Sequence, residues 1–309
     1  MDTPVVLITF NRPELTKKTL ERIKMVRPSR LFIISDGPRS TKKGEGLLIQ
    51  QTRDVLKNIT WPCDIERKYE EKNLGCKISV SSGLNWVFSK VDRAIILEDD
   101  CVPDRSFFYF CEELLEKYKN NHRIMHISGS NLLEALSSKH TTIDTSYYFS
   151  YLASAWGWAT WSRAWKNYDV AMKSWPKEGQ YILESHLSDS KSRLFMKKQF
   201  DDVFKGKIDT WDYQWIYTCW TNNALAISPY SNMITNMGFN SLATHTKFET
   251  KFSQILSHRM KFPLHHPKEV IENKDIDMLL LKSMYPESLI VDIILKKLPF
   301  LKMFLRPHS

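Results

Sequence analysis

Three consecutive acids, Glu98-Asp99-Asp100, close the apolar run Ala94 to Leu97. So little polarity ahead of them describes a strand buried on both faces, with the acids at its carboxyl end. Crowded carboxylates repel, and each raises its neighbours' pKa unless a cation stands between them. A hard divalent metal with oxygen ligands resolves that repulsion, and open α/β sheets bind ligands along this edge. The plainer alternative is a polar strand end that turns into a solvated loop. Asp212 is the second candidate, in Thr210-Trp211-Asp212-Tyr213-Gln214-Trp215. With Thr210 as N-cap it falls in the first helical turn, among aromatic rings. The helix N-terminus favours its ionised form and desolvation raises its pKa; either way it suits a general base. An ordinary first-turn acid is its plain reading.

The elements that carry these residues follow from periodicity. Pro4 to Phe10 and Arg30 to Ser35 are apolar enough for buried strands, and Leu15, Leu20, Ile23 and Val26 make one face of a helix opened by Pro13. Strand, helix and strand form a βαβ unit, which puts Arg12 and Asp36 on the same sheet edge as Asp99 and Asp100. An arginine there suits a phosphate or a base, and an aspartate suits a ring N–H or a ribose hydroxyl. Surface salt bridges are the alternative for both. Residues 39 to 60 read as loop plus helix, and Cys63 to Tyr69 as a short strand. Gly75-Cys76-Lys77 opens a further helix whose first N–H groups could hold a pyrophosphate, although no Walker A tail follows. Asp104 is placed to cap a helix from Ser106 to Tyr118, and Arg123 to Ser128 is one more strand. This alternation predicts an α/β fold with a mostly parallel central sheet.

Past residue 131 the composition turns aromatic. Trp156 and Trp158 flank Gly157 and suit either stacking on a sugar face or packing of a helix on the sheet, whereas Trp161 and Trp165 read as packing. Residues 191 to 205 form a basic amphipathic helix with Leu194, Phe195 and Phe200 inward. Leu225 to Ser228 is a short strand, and 236–240 a turn. His245 stands alone between threonines. The segment from Ser288 to Ser309 is apolar and basic and is broken by Pro299, which suits a membrane interface or a helix docked on the body.

Lys and Arg number 44 against 35 Asp and Glu, so the chain carries +9 and favours acidic partners. Hydrophobic residues make up 42%, which excludes wholesale disorder. The 5 cysteines fall in no CxxC pair or zinc spacing, as expected of a reduced cytosolic protein. No signal-peptide pattern opens the chain, and no run of about 18 apolar residues occurs. RNP-like and zinc-finger motifs are absent from the sequence, so no nucleic-acid partner is expected.

In order, VVLITFNRPE, SDG, NLGCK and ILEDDCVPD resemble the GT-A glycosyltransferases, which use nucleotide-sugar donors. AWGW, TWDYQW and ISPYSNMITNMGF add a likeness to the N-acetylglucosaminyltransferase I type, over roughly residues 4 to 250. The resemblance implies a GT-A, Rossmann-like nucleotide-diphospho-sugar transferase fold. Residues 1–135 would form its nucleotide-sugar half, 136–265 its acceptor and catalytic half, and 266–309 a C-terminal extension suited to the periphery of a membrane. It implies that Asp100 binds a divalent metal (Mn2+ or Mg2+), with Asp99 by the ribose and Glu98 supporting the cluster. Arg12 and Asp36 match base-holding positions, and Lys77 or Ser79 match positions near the diphosphate. Asp212 matches the base and His245 a contact to metal or phosphate, while Trp156 and Trp158 would meet the acceptor. Two departures stand out. Tyr213-Gln214 follows the aspartate where that type has a second acid, and the counterpart of His245 is not fixed. The implied activity is inverting, metal-dependent transfer from a UDP-sugar, with UDP-N-acetylhexosamine as the candidate, to a glycan or lipid-linked acceptor in bacterial surface-polysaccharide (lipopolysaccharide-type) synthesis. The implied place is the cytoplasm or the inner membrane face. The rivals are a sugar-1-phosphate nucleotidyltransferase, whose glycine-rich opening loop is missing here, and a non-catalytic carbohydrate- or nucleic-acid-binding protein.

Overall fold

A computed structural model of the protein describes residues 1–136, 144–239 and 252–285. Its frame is set by strands whose side chains alternate between two covered faces. In β1 (Val5–Thr9), Val5 and Leu7 join one core cluster and Val6 and Ile8 the other. After α1 (Pro13–Lys24), β2 (Arg30–Ser35) repeats the division, Leu31 and Ile33 against Phe32 and Ile34. Period-two alternation of apolar residues on both faces is what a sheet covered on both sides requires. Each such side chain, once fully buried, contributes on the order of 2 kcal/mol relative to exposure.

The chain continues through α2 (Glu45–Val55), β3 (Asp64–Tyr69), α3 (Cys76–Phe88) and β4 (Arg93–Glu98). A short β5 (Cys101–Pro103) leads into α4 (Arg105–Lys117), whose N-cap Asp104 accepts from Ser106 N at 2.8 Å, as its position in the sequence suggests. Next come β6 (Ile124–Ser128), β7 (Tyr147–Ser150) and β8 (Trp158–Trp161). The helices α5 (Ser162–Trp165), α6 (Trp175–His186), α7 (Ser190–Phe204) and α8 (Asp212–Thr221) follow, then β9 (Leu225–Pro229), β10 (Ile234–Asn236) and α9 (Lys274–Ser283).

Eight strands form one sheet in the order β3-β2-β1-β4-β8-β6-β9-β7, and β5 pairs with β10 in a separate ribbon. The pairs β2–β3, β1–β2, β1–β4 and β6–β9 are parallel, whereas β8 and β7 run antiparallel to their neighbours. The expected α/β class with a mostly parallel sheet is therefore what the chain adopts. The two reversed strands lie in the aromatic stretch that showed no strand pattern.

Two local expectations are corrected. Leu194, expected inward on α7, is 41% exposed, while Phe195 and Phe200 are buried. Thr210 is not the N-cap of α8. Trp211 holds that position without a side-chain cap bond, although Asp212 does fall in the first turn. His245 and the segment from Ser288 to Ser309 lie outside the described residues. Among the described residues, no helix is long and apolar enough to cross a membrane.

Candidate active site

The acidic triplet sits at a corner between two sheets. Glu98 is the last residue of β4 and Cys101 the first of β5, so Asp99 and Asp100 make the turn. The backbone of this turn is pinned from both sides. Thr19 Oγ1 in α1 donates to the Asp99 carbonyl at 2.9 Å, and Met237 N after β10 donates to the Asp100 carbonyl at 2.8 Å. Parallel register aligns Ile8 with Glu98 and Thr9 with Ser35, which brings Arg12 and Asp36 to the same edge, as expected.

The cation that the acids need is the protein's own Arg12. Its Nη1 lies 2.7 Å from Asp100 Oδ2 and its Nη2 3.1 Å from Asp99 Oδ1, while Phe10 N donates to Asp99 Oδ2 at 3.0 Å. Burial alone would lower the Arg12 pKa, but the charges of Asp99 and Asp100 outweigh it and leave it raised. Arg12 is thus committed to carboxylates in this structure, not to the base or phosphate position read from the sequence. Burial pushes Asp99 up to about 6, with Arg12 opposing the rise. Glu98 is pushed up to about 8 by burial and by the charge of Asp100, against a hydrogen bond from Trp211 Nε1 at 3.2 Å. A glycine is required opposite: a Cβ at Gly238 would overlap the Asp100 carboxylate.

The facing wall is built by residues 208–213, which share one cavity of about 480 Å³ with the triplet, Arg12, Asp36, Ser79 and Trp156. Asp212 Oδ1 accepts from Thr210 Oγ1 at 2.5 Å and from Tyr213 N at 2.9 Å, so both bonds fall on one carboxylate oxygen. Asp209 accepts from Cys76 N at 2.9 Å and Lys77 N at 3.1 Å, where the sequence suggested a pyrophosphate. The first N–H groups of α3 are therefore satisfied by an acid from the opposite wall. Gly75, at φ +82°, allows this approach, since a Cβ there would stand 2.5 Å from Asp209 Oδ2.

Other candidates fall differently from expectation. Asp36 accepts from Gly37 N, Leu74 N, Gly75 N and the Asn73 amide at 2.8 to 3.1 Å, so its carboxylate binds the protein's own loop instead of a ribose or ring N–H. Lys77 is not among the cavity's lining residues, whereas Ser79 is. Trp156 meets Phe239 edge-on at 5.4 Å on the cavity wall. Trp158 does not serve as an acceptor platform: it is fully buried, stacked between His126 at 5.1 Å and Trp211 at 5.2 Å. Both faces of its strand are covered, since core clusters lie on either side of the sheet and all four residues of β8 are buried. Trp161 and Trp165 are packing residues, as read. Sequence reasoning missed Asp209, whose partners stand 132 and 133 residues away, and the Thr210 hydroxyl on Asp212.

Six carboxylates (Asp36, Glu98, Asp99, Asp100, Asp209 and Asp212) line the cavity, with Arg12 and Arg39 as its arginines. A phosphate entering such a cavity needs added positive charge. Among the described residues, no group of three or more His, Cys, Asp or Glu side chains is placed to hold a metal ion. The wall does offer Asp100, whose Oδ1 has the Cys101 thiol at 3.6 Å. Magnesium-like ions are commonly held by one or two carboxylates together with substrate phosphates. The donor set fits a cation shared with a phosphorylated ligand and does not fit an all-protein cage.

No family model and no curated protein sequence matches the chain. Among solved structures, the galactosyltransferase LgtC in complex with donor and acceptor sugar analogs is similar over 93% of this chain and 98% of that one, at 11% identity and a TM-score of 0.39. The mannosyltransferase PcManGT from Pyrobaculum calidifontis, in complex with GDP-Man and Mn2+, is similar over 71% and 73%, at 12% identity and 0.36. Apo UDP-glucose pyrophosphorylase is similar over 73% and 90%, at 10% identity and 0.38. At these identities and scores the likeness carries no argument about activity, which rests on the side chains of the cavity.

Proposed function

We propose that the chain is an inverting glycosyltransferase that takes its sugar from a nucleoside diphosphate donor, with a UDP-N-acetylhexosamine as the preferred candidate. One observation carries this reading: an acidic corner at the carboxyl edge of β1, β2 and β4 shares a cavity with Asp212, which projects from the first turn of α8. Residues 1–135 would supply the donor wall and 136–265 the acceptor wall.

Asp100 would hold a divalent cation, Mn2+ or Mg2+, which when bound supplies charge neutralisation for a leaving diphosphate. The remaining roles belong to the chain. Thr210 Oγ1 and Tyr213 N both donate to Oδ1 and so orient Asp212, leaving Oδ2 to take a proton. The acceptor hydroxyl oxygen forms a bond to the anomeric carbon as its proton passes to Asp212. The bond from that carbon to the diphosphate breaks, and the nucleoside diphosphate leaves with the electron pair. One displacement inverts the centre. Trp156 offers an apolar face for the acceptor, a glycan or a lipid-linked sugar, and the contribution of the base is about 10²–10⁴-fold.

The test is a thermal-shift series with UDP, GDP, ADP and CMP, each with and without Mn2+, followed by transfer assays on Asp212→Asn. A selective response to one nucleoside diphosphate, with Asp212→Asn binding it normally but losing transfer by at least about 100-fold, is expected. Sugar nucleotide formation from a nucleoside triphosphate and a sugar 1-phosphate, or full transfer by Asp212→Asn, would refute the reading.

A further inference from the structure

Resting on that reading, we propose that Arg12 is a resident counter-charge that makes the divalent cation and the nucleoside diphosphate bind as a coupled pair. Its guanidinium fork spans Asp99 and Asp100 at 3.1 and 2.7 Å, so it occupies one oxygen of the carboxylate a cation would use. The two arms of the fork are not equivalent. Asp99 has a second, backbone donor in Phe10 N, whereas Asp100 has the weak Cys101 thiol at 3.6 Å. Asp99 therefore keeps a backbone donor when Arg12 leaves, whereas Asp100, on the shorter arm, keeps only the weak thiol contact and an oxygen open to a cation.

Arg12 also has hydrogen-bonding capacity to spare. Its Nε–H is buried and has no acceptor among the described residues. A guanidinium carries five N–H donors in a fixed plane, and a buried donor without a partner is destabilising. A diphosphate presents the several oxygens such a fork matches.

The charges of the cavity then set the coupling. A cation that arrives alone competes with a guanidinium already seated on Asp100. A diphosphate that arrives alone meets the acidic corner at Asp99 and Asp100, with Arg12 already engaged there. Arriving together, the phosphate oxygens accept from Arg12, the Asp100 oxygen is released to the cation, and the carboxylates are neutralised. Each ligand therefore raises the affinity of the other by the same factor, because binding linkage is reciprocal.

Isothermal titration with UDP and MnCl2, each alone and each with the other saturating, measures that factor directly. In the unaltered protein it is expected to be about 10–100-fold, within the usual range of coupling between sites. In Arg12→Gln the factor should fall by about 5–10-fold, to what direct contact between cation and phosphate leaves, with Mn2+ alone binding more tightly than before and UDP alone more weakly. Because Arg12→Gln leaves Asp99 unpaired, the double variant Arg12→Gln, Asp99→Asn is measured beside it. It removes one charge of each sign and keeps an oxygen for Phe10 N. Equal coupling in the unaltered protein and in whichever variant melts cooperatively would overturn this role for Arg12 and leave the transferase reading intact. Failure of the unaltered protein to bind UDP or any other nucleoside diphosphate with Mn2+ would overturn both.

Discussion

Replacing Asp277 with asparagine separates charge from hydrogen bonding where α9 docks on the edge strand β7. Asp277 is 5% exposed; Ser150 Oγ donates to its Oδ1 at 2.5 Å and Tyr151 N to its Oδ2 at 2.8 Å. Burial pushes the carboxyl up to about 6, the two hydrogen bonds oppose the rise, and the charge of Glu272 adds to it. The unfolded value is about 3.9. Between those values the folded chain keeps a proton that the unfolded chain has lost, so this group's contribution to stability falls as pH rises through that window. Above it the cost levels off at about 1.36 kcal/mol per unit, or about 3 kcal/mol in all. Asparagine has the same outline without the charge: its oxygen can accept from Tyr151 N and its amide can donate to Ser150. Asp277→Asn should therefore be near neutral at about pH 4 and more stable than the parent by about 2–3 kcal/mol at about pH 7.5. Urea unfolding followed by tryptophan fluorescence at several pH values reads the difference. A variant effect that does not grow with pH, or that changes sign toward destabilisation above neutrality, would refute the reasoning.

Two further substitutions probe the walls of the cavity. Asp209→Ala removes both acceptors from the first turn of α3 and should cost about 1 kcal/mol in urea unfolding, with Asp209→Asn losing about half as much. An unchanged midpoint would mean the contact contributes nothing. Gly238→Ala places a methyl against Asp100, so its strain of about 1–3 kcal/mol should weaken the joint binding of UDP and Mn2+ by tenfold or more. Undiminished titration by that variant would show that Asp100 yields freely.

The β1, β2 and β4 part of the sheet was legible in the sequence for a specific reason. Val5 to Thr9, Arg30 to Ser35 and Arg93 to Glu98 are buried on both faces, so their apolar runs are uninterrupted and the polar residues that end them mark one edge. That edge located the triplet, Arg12 and Asp36 correctly, but not the partners of Arg12 or Asp36. A charge's partner depends on loops closing through space, and Asp36 is satisfied by residues 37 to 39 positions on. Tyr147 to Ser150 and Trp158 to Trp161 are four-residue strands, too short for alternation to register. Their rings look alike whether they face a sugar or the core. Asp209 gave no signal at all, because an exposed acid before a helix is ordinary until the helix it caps is brought to it.

The turn at Asp99 and Asp100 is also a constraint on length. With β4 ending at Glu98 and β5 starting at Cys101, two residues join a strand of the main sheet to a strand of the ribbon. A span so short cannot absorb an inserted or deleted residue. One extra residue would shift the ribbon's inward and outward positions or reverse which carboxylate meets Arg12. Helix surfaces elsewhere can drift in sequence, but the spacing from Glu98 to Cys101 tolerates substitution far better than any change in count.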